Sequence, residues 1–292
     1  MKRLLIIAIV FVPLATFAEP QDQGVAFHGR TDLVTVDVNV QRGHSPVAGL
    51  QAADFDVYDN GIRQDLTDLS YGRRPIDLRL LFDTSGSIGD DELQTYVRAM
   101  RQIAQSLQPQ DRCDIVTFSR RIVEAAALQP PPVKIEARRI GPETTSFFDA
   151  VSLALITPPV FGRRQLTIVM SDADDNSSFF DEAAMTEIAR RTDAVVYAVL
   201  PITTWRPADD KPEQALNARL TALTSLTGGR VITPNRDPEV APAFLAAIEE
   251  FRKSYTLVYT ATGVDRSGWH ELSVNVRGAK AYSVRARRGY VG

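Results

Sequence analysis

Three zones of the chain differ in the spacing of their apolar positions. Over residues 31–70 the period is two. Val34, Val36, Val38 and Val40 alternate with Thr35, Asp37 and Asn39, the pattern of a half-buried strand. Phe55, Val57, Ile62 and Leu66 surround Asn60-Gly61 and predict a hairpin, because Asn-Gly accepts the positive φ angles of a tight turn. Residues 77–252 carry short, nearly continuous apolar runs at 78–82, 115–118, 166–170 and 194–200. Such runs suit parallel strands buried on both faces. Helical stripes lie between and after them. Leu93, Tyr96, Val97, Met100, Ile103, Ala104 and Leu107 form one; Leu216, Leu220, Leu223 and Leu226 form another, ended by Gly228-Gly229; Phe244, Ala247, Ile248 and Phe251 form a third. This alternation predicts an α/β fold with a doubly wound, mostly parallel, Rossmann-like sheet. From Tyr255 the period returns to two, through Tyr255, Leu257 and Tyr259, then Leu272, Val274 and Val276, then Tyr282, Val284 and Ala286, with Arg285, Arg287 and Arg288 directed elsewhere.

Neither β flank has enough strands for a sheet of its own, whereas together they supply about five or six. The expectation is that residues 28–72 and 253–292 co-fold into a small all-β, immunoglobulin-like sandwich that carries residues 73–252 as an inserted α/β domain. Insertion is tolerated where chain ends lie close together.

Composition changes this picture in few places. The 292 residues carry a formal net charge of −3, and no basic run interleaved with aromatics points to nucleic acid. Residues 1–18 have the form of a secretory signal. Lys2 and Arg3 precede an apolar stretch over residues 4–14, and Thr16-Phe17-Ala18 suits a signal peptidase. The expectation is an exported protein, periplasmic or extracellular, cleaved near Ala18; an uncleaved N-terminal anchor is the alternative, though the stretch is short for a membrane span. Cleavage there removes two cations and no acid and moves the net charge from −3 to −5. Cys113 is the single cysteine, so no internal disulfide forms, and its strand-like surroundings read as a buried structural thiol. His28, His44 and His270 show no metal-ligand spacing and are expected on the surface or in loops.

The chemistry gathers where apolar runs end. Asp83-Thr84-Ser85-Gly86-Ser87 follows the run 78–82, and a helix is expected from near Asp90. A carboxylate and two hydroxyls are hard oxygen ligands suited to Mg²⁺, Mn²⁺ or Ca²⁺, and in open α/β sheets ligands bind at the C-terminal strand edge. The pattern Asp-x-Ser-x-Ser resembles the metal-ion-dependent adhesion site of the von Willebrand factor A family. That resemblance implies a site built from three loops. Asp83, Ser85 and Ser87 match the first. Thr145, in Thr145-Ser146-Phe147-Phe148-Asp149-Ala150, matches the second, with Thr144 a one-residue alternative. Asp172, after Thr167-Ile168-Val169-Met170-Ser171, matches the third. Ala173 stands where the family usually has glycine, a departure that touches turn geometry more than metal chemistry. Val47-Ala48-Gly49-Leu50, Tyr58-Asp59-Asn60-Gly61, Gly268-Trp269-His270 and Arg288-Gly289-Tyr290 extend the likeness to a bacterial group of exported A-domain-related proteins common in acidobacteria.

Other chemistries fit less well. A haloacid dehalogenase-like site needs a second acid where Ser85 stands. Asp172-Ala173-Asp174-Asp175-Asn176 starts like a calcium loop, but an EF-hand needs glycine and glutamate where Ser177 and Ala183 stand. No Gly-x-Ser-x-Gly elbow has a nearby histidine, and no Walker phosphate loop is present. The sequence therefore reads as a non-enzymatic binding protein. One Mg²⁺ (or Mn²⁺ or Ca²⁺) would dock an Asp or Glu of a protein partner, with no nucleic acid and no small-molecule cofactor. Asp174, Asp175, Trp205 and Arg206 are the expected rim of that contact, and Asp181 and Glu182 are expected to cap a helix start. The alternative is a cell-envelope scaffold acting by strand addition at a β edge without metal.

Overall fold

The computed structural model describes residues 33–85, 90–136, 144–200, 211–233, 240–265, 267–278 and 281–292. The expected leader, Ser87, Trp205, Arg206 and His28 lie outside the described residues. Strands β1 (Leu33–Arg42), β2 (Ser45–Pro46), β3 (Phe55–Asp59), β4 (Ile62–Gln64) and β5 (Leu66–Tyr71) come first. Alternation follows: β6 (Ile76–Asp83), α1 (Asp90–Ser106), β7 (Arg112–Phe118), β8 (Ile122–Gln129), α2 (Phe147–Leu155), β9 (Arg164–Met170), α3 (Glu182–Arg191), β10 (Val195–Val199), α4 (Lys211–Thr227), β11 (Val231–Ile232) and α5 (Val240–Arg252). The chain closes with β12 (Tyr255–Thr260), β13 (Trp269–Val276), β14 (Tyr282–Ala286) and β15 (Gly289–Val291).

The middle zone forms one six-stranded sheet in the order β11-β10-β9-β6-β7-β8. All neighbours are parallel except β8, which runs antiparallel to β7. The continuous apolar runs are explained by burial on both faces. Leu78, Leu80 and Phe82 of β6 pack with α1 and α5 on one face, where the Phe82 and Phe244 rings stack at 5.2 Å. Leu81 faces the other way, into a core shared with α2, α3 and α4. β6 has β7 on one side and β9 on the other, so the chain changes winding direction between β6 and β9. In open α/β sheets the C-terminal strand edge at such a switch point is where ligands bind.

The two ends of the chain build two antiparallel sheets, β14-β1-β12-β5 with β2 attached to β1, and β15-β13-β3-β4. Val36, Val38 and Val40 of β1, Phe55 and Val57 of β3, Tyr255, Leu257 and Tyr259 of β12, and Leu272 of β13 share one core. Among the described residues these sheets contain nine strands, not the five or six expected, because β2, β4 and β15 have only two or three residues and are too short to show a period. Asn60 and Gly61 take φ 47° and 78° in the β3–β4 hairpin, as their sequence predicts.

His270 is not a surface residue. It is buried, with Nδ1 2.8 Å from Asp59 Oδ1 and its ring stacked on Tyr290. The Tyr259 and Tyr290 hydroxyls donate to Asp59 Oδ2 at 2.9 and 2.8 Å. Cys113 is buried, as expected, and burial pushes its thiol pKa up.

Charged side chains join the β sheets to the α/β part. Arg164, at the start of β9, donates to Asp37 of β1 (2.8 Å) and to Ser254 (2.6 Å), and lies over the Phe251 ring. Glu250 of α5 accepts from Arg230 (2.8 Å), from Tyr197 (2.9 Å) and from Arg285 of β14. Arg287, buried, pairs with Asp193 at 3.1 Å. These ties agree with Asp32–Gly292 forming one compact unit. Among the described residues, no helix is long and apolar enough to cross a membrane.

Candidate functional site

The ends of β6 and β9, at the winding switch point, carry Asp83 and Asp172. Asp83 is the last residue of β6 and is buried. Its Oδ1 accepts the Ser85 N–H at 3.0 Å, and its Oδ2 accepts the Ser171 hydroxyl at 2.7 Å. Ser171 Oγ in turn accepts the Ala173 N–H at 3.0 Å. Thr84 is pinned to the end of β7, its N–H and its hydroxyl both donating to the Phe118 carbonyl at 2.7 and 3.1 Å. Ser85 is buried beside it.

Asp172 Oδ1 accepts the Asp174 N–H at 3.0 Å. Between them Ala173 takes φ 62° while fully buried. The left-handed region costs an L residue about 1 kcal/mol or more, so the surroundings must enforce it. Arg219 of α4 does so in part, donating to the Ala173 carbonyl at 2.6 Å. The substitution of the usual glycine therefore leaves the turn in its left-handed shape.

Thr145 comes from the loop before α2. Its N–H donates to Asn176 Oδ1 at 2.8 Å, and its carbonyl accepts the N–H groups of Asn176 and Ser177, both at 3.1 Å. Ser146 bridges two sides: its N–H donates to the Ser119 carbonyl at 2.9 Å, and its hydroxyl lies 2.9 Å from that of Ser177. Thr145 is buried. Thr144, the alternative, has a buried hydroxyl with no hydrogen-bond partner among the described residues. Asp83, Ser85, Thr145 and Asp172 thus share one edge of the sheet.

Burial is the largest influence on both acids. It pushes the Asp83 carboxyl up to about 6, opposed by hydrogen bonds from Ser171 and Ser85 and reinforced by the charge of Asp172. It raises Asp172 as well. No cationic side chain among the described residues bonds to either carboxylate. Two mutually repelling, desolvated acids flanked by the hydroxyl-bearing Ser85 and Thr145 fit a hard divalent cation. Among the described residues, no three His, Cys, Asp or Glu side chains gather to hold a metal; a cation here would need the hydroxyls of Ser85 and Thr145 as well as the two acids.

Of the expected rim, Asp174 is exposed, but Asp175 is engaged within the fold. Its Oδ2 accepts the Phe148 N–H at 3.0 Å and the Ser178 hydroxyl at 2.5 Å, and Ser178 Oγ accepts the Asp149 N–H at 3.1 Å. A helix start leaves N–H groups without intrahelical partners, and Ser146 makes no side-chain cap. Asp175 and Ser178 take over that task from another loop. Asp149 returns the tie by accepting the N–H groups of Phe179 and Phe180, each at 2.9 Å. Asp181 caps α3 as expected, accepting from Ala184 N–H. Ser171 and Arg219 were not singled out from the sequence, and Asn176 was read only as part of a solvated rim with Asp174 and Asp175, whereas it bonds to Thr145; only Ser171, a hydroxyl directly before Asp172 at a strand end, gave a usable signal.

A family model for the von Willebrand factor type A domain matches residues 77–228. A comparison with curated proteins gives no match. Among solved structures, the chain is similar to proximal thread matrix protein 1 from the mussel byssus, described with a zinc-occupied metal-ion-dependent adhesion motif. That likeness has 14% identity and a TM-score of 0.45, and covers 61% of this chain and 48% of that one. The chain therefore spans about half the length of the mussel protein. It is similar to manganese-loaded TRAP protein from Plasmodium vivax at 16% identity and TM-score 0.41, over 82% and 100% of the two chains. It is also similar to the ArnB paralogue VWA2 from Sulfolobus acidocaldarius at 9% identity and TM-score 0.48, over 89% and 76%.

Proposed function

The chain belongs to the von Willebrand factor type A domain family through residues 77–228, and from that premise we propose that it is an exported, non-enzymatic module that binds a protein partner through a divalent cation. Asp83, Ser85, Thr145 and Asp172 would hold the ion, preferably Mg²⁺ or Mn²⁺, and the sequence pattern adds Ser87. A bound ion supplies positive charge at the sheet edge and draws an external carboxylate, an Asp or Glu of the partner. The protein's own residues do the remaining work. Ser171 and the Ser85 N–H orient Asp83, the Asn176 and Ser177 N–H groups fix Thr145, and Arg219 steadies the turn after Asp172.

The observation that carries this reading is the pair of desolvated acids, Asp83 and Asp172, at the winding switch point with no cationic side chain bonded to them among the described residues. The β sheets at the two chain ends are read as an immunoglobulin-like platform carrying the α/β domain as an insertion. The motifs outside residues 77–228 support grouping the chain with exported A-domain-related bacterial proteins. Affinity capture from cell-envelope extract tests the function. Partner retention is expected with Mg²⁺, and is expected to vanish with chelator and with Asp83→Ala. Retention unchanged by chelation would instead favour metal-free contact at a β edge.

A further inference from the structure

The two flanks of the metal edge differ in chemistry. On one side, the turn between β7 and β8 exposes Arg120 and Arg121. Neither has an acidic partner among the described residues. On the other side, the loop after β9 exposes the phenyl rings of Phe179 and Phe180, which are 91% and 42% accessible and lie edge to face at 5.8 Å. Exposed Asp174 belongs to the same loop. Between the flanks lies Thr145-Ser146, where Ser146 bonds to Ser119 on one side and to Ser177 on the other.

The loop that exposes this Phe pair is otherwise firmly held. The N–H groups of both residues are fixed by Asp149, and Ser178 just before them is fixed by Asp175. The rings are therefore presented on a prearranged backbone, which lowers the ordering cost of contact. Aromatic side chains on rigid backbone are well suited to anchor a partner. Arg120 and Arg121 complement negative charge, and Asp174 disfavours it.

Resting on the metal-dependent reading above, we propose that the partner segment is asymmetric about its metal-bound Asp or Glu. A second acidic residue lies toward Arg120 and Arg121, and an apolar residue lies toward Phe179 and Phe180.

The test uses synthetic octapeptides with one central Glu in a Gly-Ser background. Asp and Leu are placed on opposite sides in either order, or Asp on both sides, or Leu on both. Binding is read by fluorescence polarisation in Mg²⁺ at low and high salt. One of the two asymmetric peptides is expected to bind about tenfold tighter than the peptide with Glu alone, about 1.4 kcal/mol. The double variant Phe179→Ser, Phe180→Ser is expected to lose the gain from Leu. Arg120→Ser with Arg121→Ser is expected to lose the gain from Asp and its salt dependence. Both should bind Mn²⁺ by calorimetry as the wild type does, which separates rim from metal site. Equal binding of all peptides, absence of peptide binding by protein that holds Mn²⁺, or a Leu gain that survives loss of both phenyl rings would overturn the proposal. Failure of the wild type to bind Mn²⁺ would overturn the reading beneath it.

Discussion

Asp83 shows how a single residue can be costly to the fold and useful to a ligand. Its unfolded value near 3.8 rises to about 6 in the folded chain, mainly through burial. The folded state therefore holds this proton more tightly. The stability linked to it is fully present below about pH 4 and is lost as pH rises through 6, by roughly 3 kcal/mol. Asp83→Asn carries no charge at either pH. In the presence of chelator it should match the wild type near pH 4 and exceed its stability by about 2 kcal/mol at pH 7.5 in urea unfolding. Mn²⁺ should stabilise the wild type and not the variant. An Asn variant less stable than wild type at pH 7.5 would mean that the carboxylate has a cationic partner within the protein, or that its bonds from Ser85 and Ser171 outweigh its burial. At this scale the sequence was informative, because Asp83, Ser85 and Asp172 directly follow apolar strands. It could not reveal that Asp175 is an internal helix-start acceptor, since its partners Phe148 and Ser178 are set by how two loops meet. Nor could it reveal the burial of His270, whose partner Asp59 lies 211 residues away in sequence.

The elements around the site depend on each other. Helix α2 lacks a cap from its own N-cap residue, and the loop after β9 supplies Asp175 and Ser178 instead. Asp175→Ala should destabilise the protein by about 1–2 kcal/mol, the usual value of a lost cap. Because the same loop fixes Thr145 through Asn176 and Ser177, Mn²⁺ affinity should fall several-fold as well. Unchanged affinity at reduced stability would show that Thr145 is positioned independently of this loop. Strands β6, β7, β9 and β10 were legible as continuous apolar runs. β8 was not, because Ile122–Gln129 centres on three alanines and has no strong period, and because it pairs only along one edge.

At the scale of the whole molecule, the β sheets and the α/β part are held by buried charges as well as by apolar contact. Arg164 and Asp37 form such a pair, with 3% and 11% side-chain exposure. Arg164→Ala leaves Asp37 desolvated with, among the described residues, only the Thr256 hydroxyl as a remaining side-chain donor, and should cost about 3 kcal/mol in chemical denaturation. A loss below about 1 kcal/mol would indicate that Asp37 is readily hydrated. The α/β winding and the contribution of both chain ends to the β sheets followed from the change of period at residues 77 and 255. The ties between the parts did not, because arginines in alternating strands give no sign of which face meets another layer. If Asp83, Asp172, Ser85 and Thr145 form one cation site, titration calorimetry with Mn²⁺ will report it. One ion should bind per wild-type chain, with affinity falling about tenfold per pH unit below pH 6 as a proton competes for Asp83, and Asp83→Ala should give no binding heat. Equal Mn²⁺ affinity in the wild type and Asp83→Ala would mean that Asp83 holds no cation.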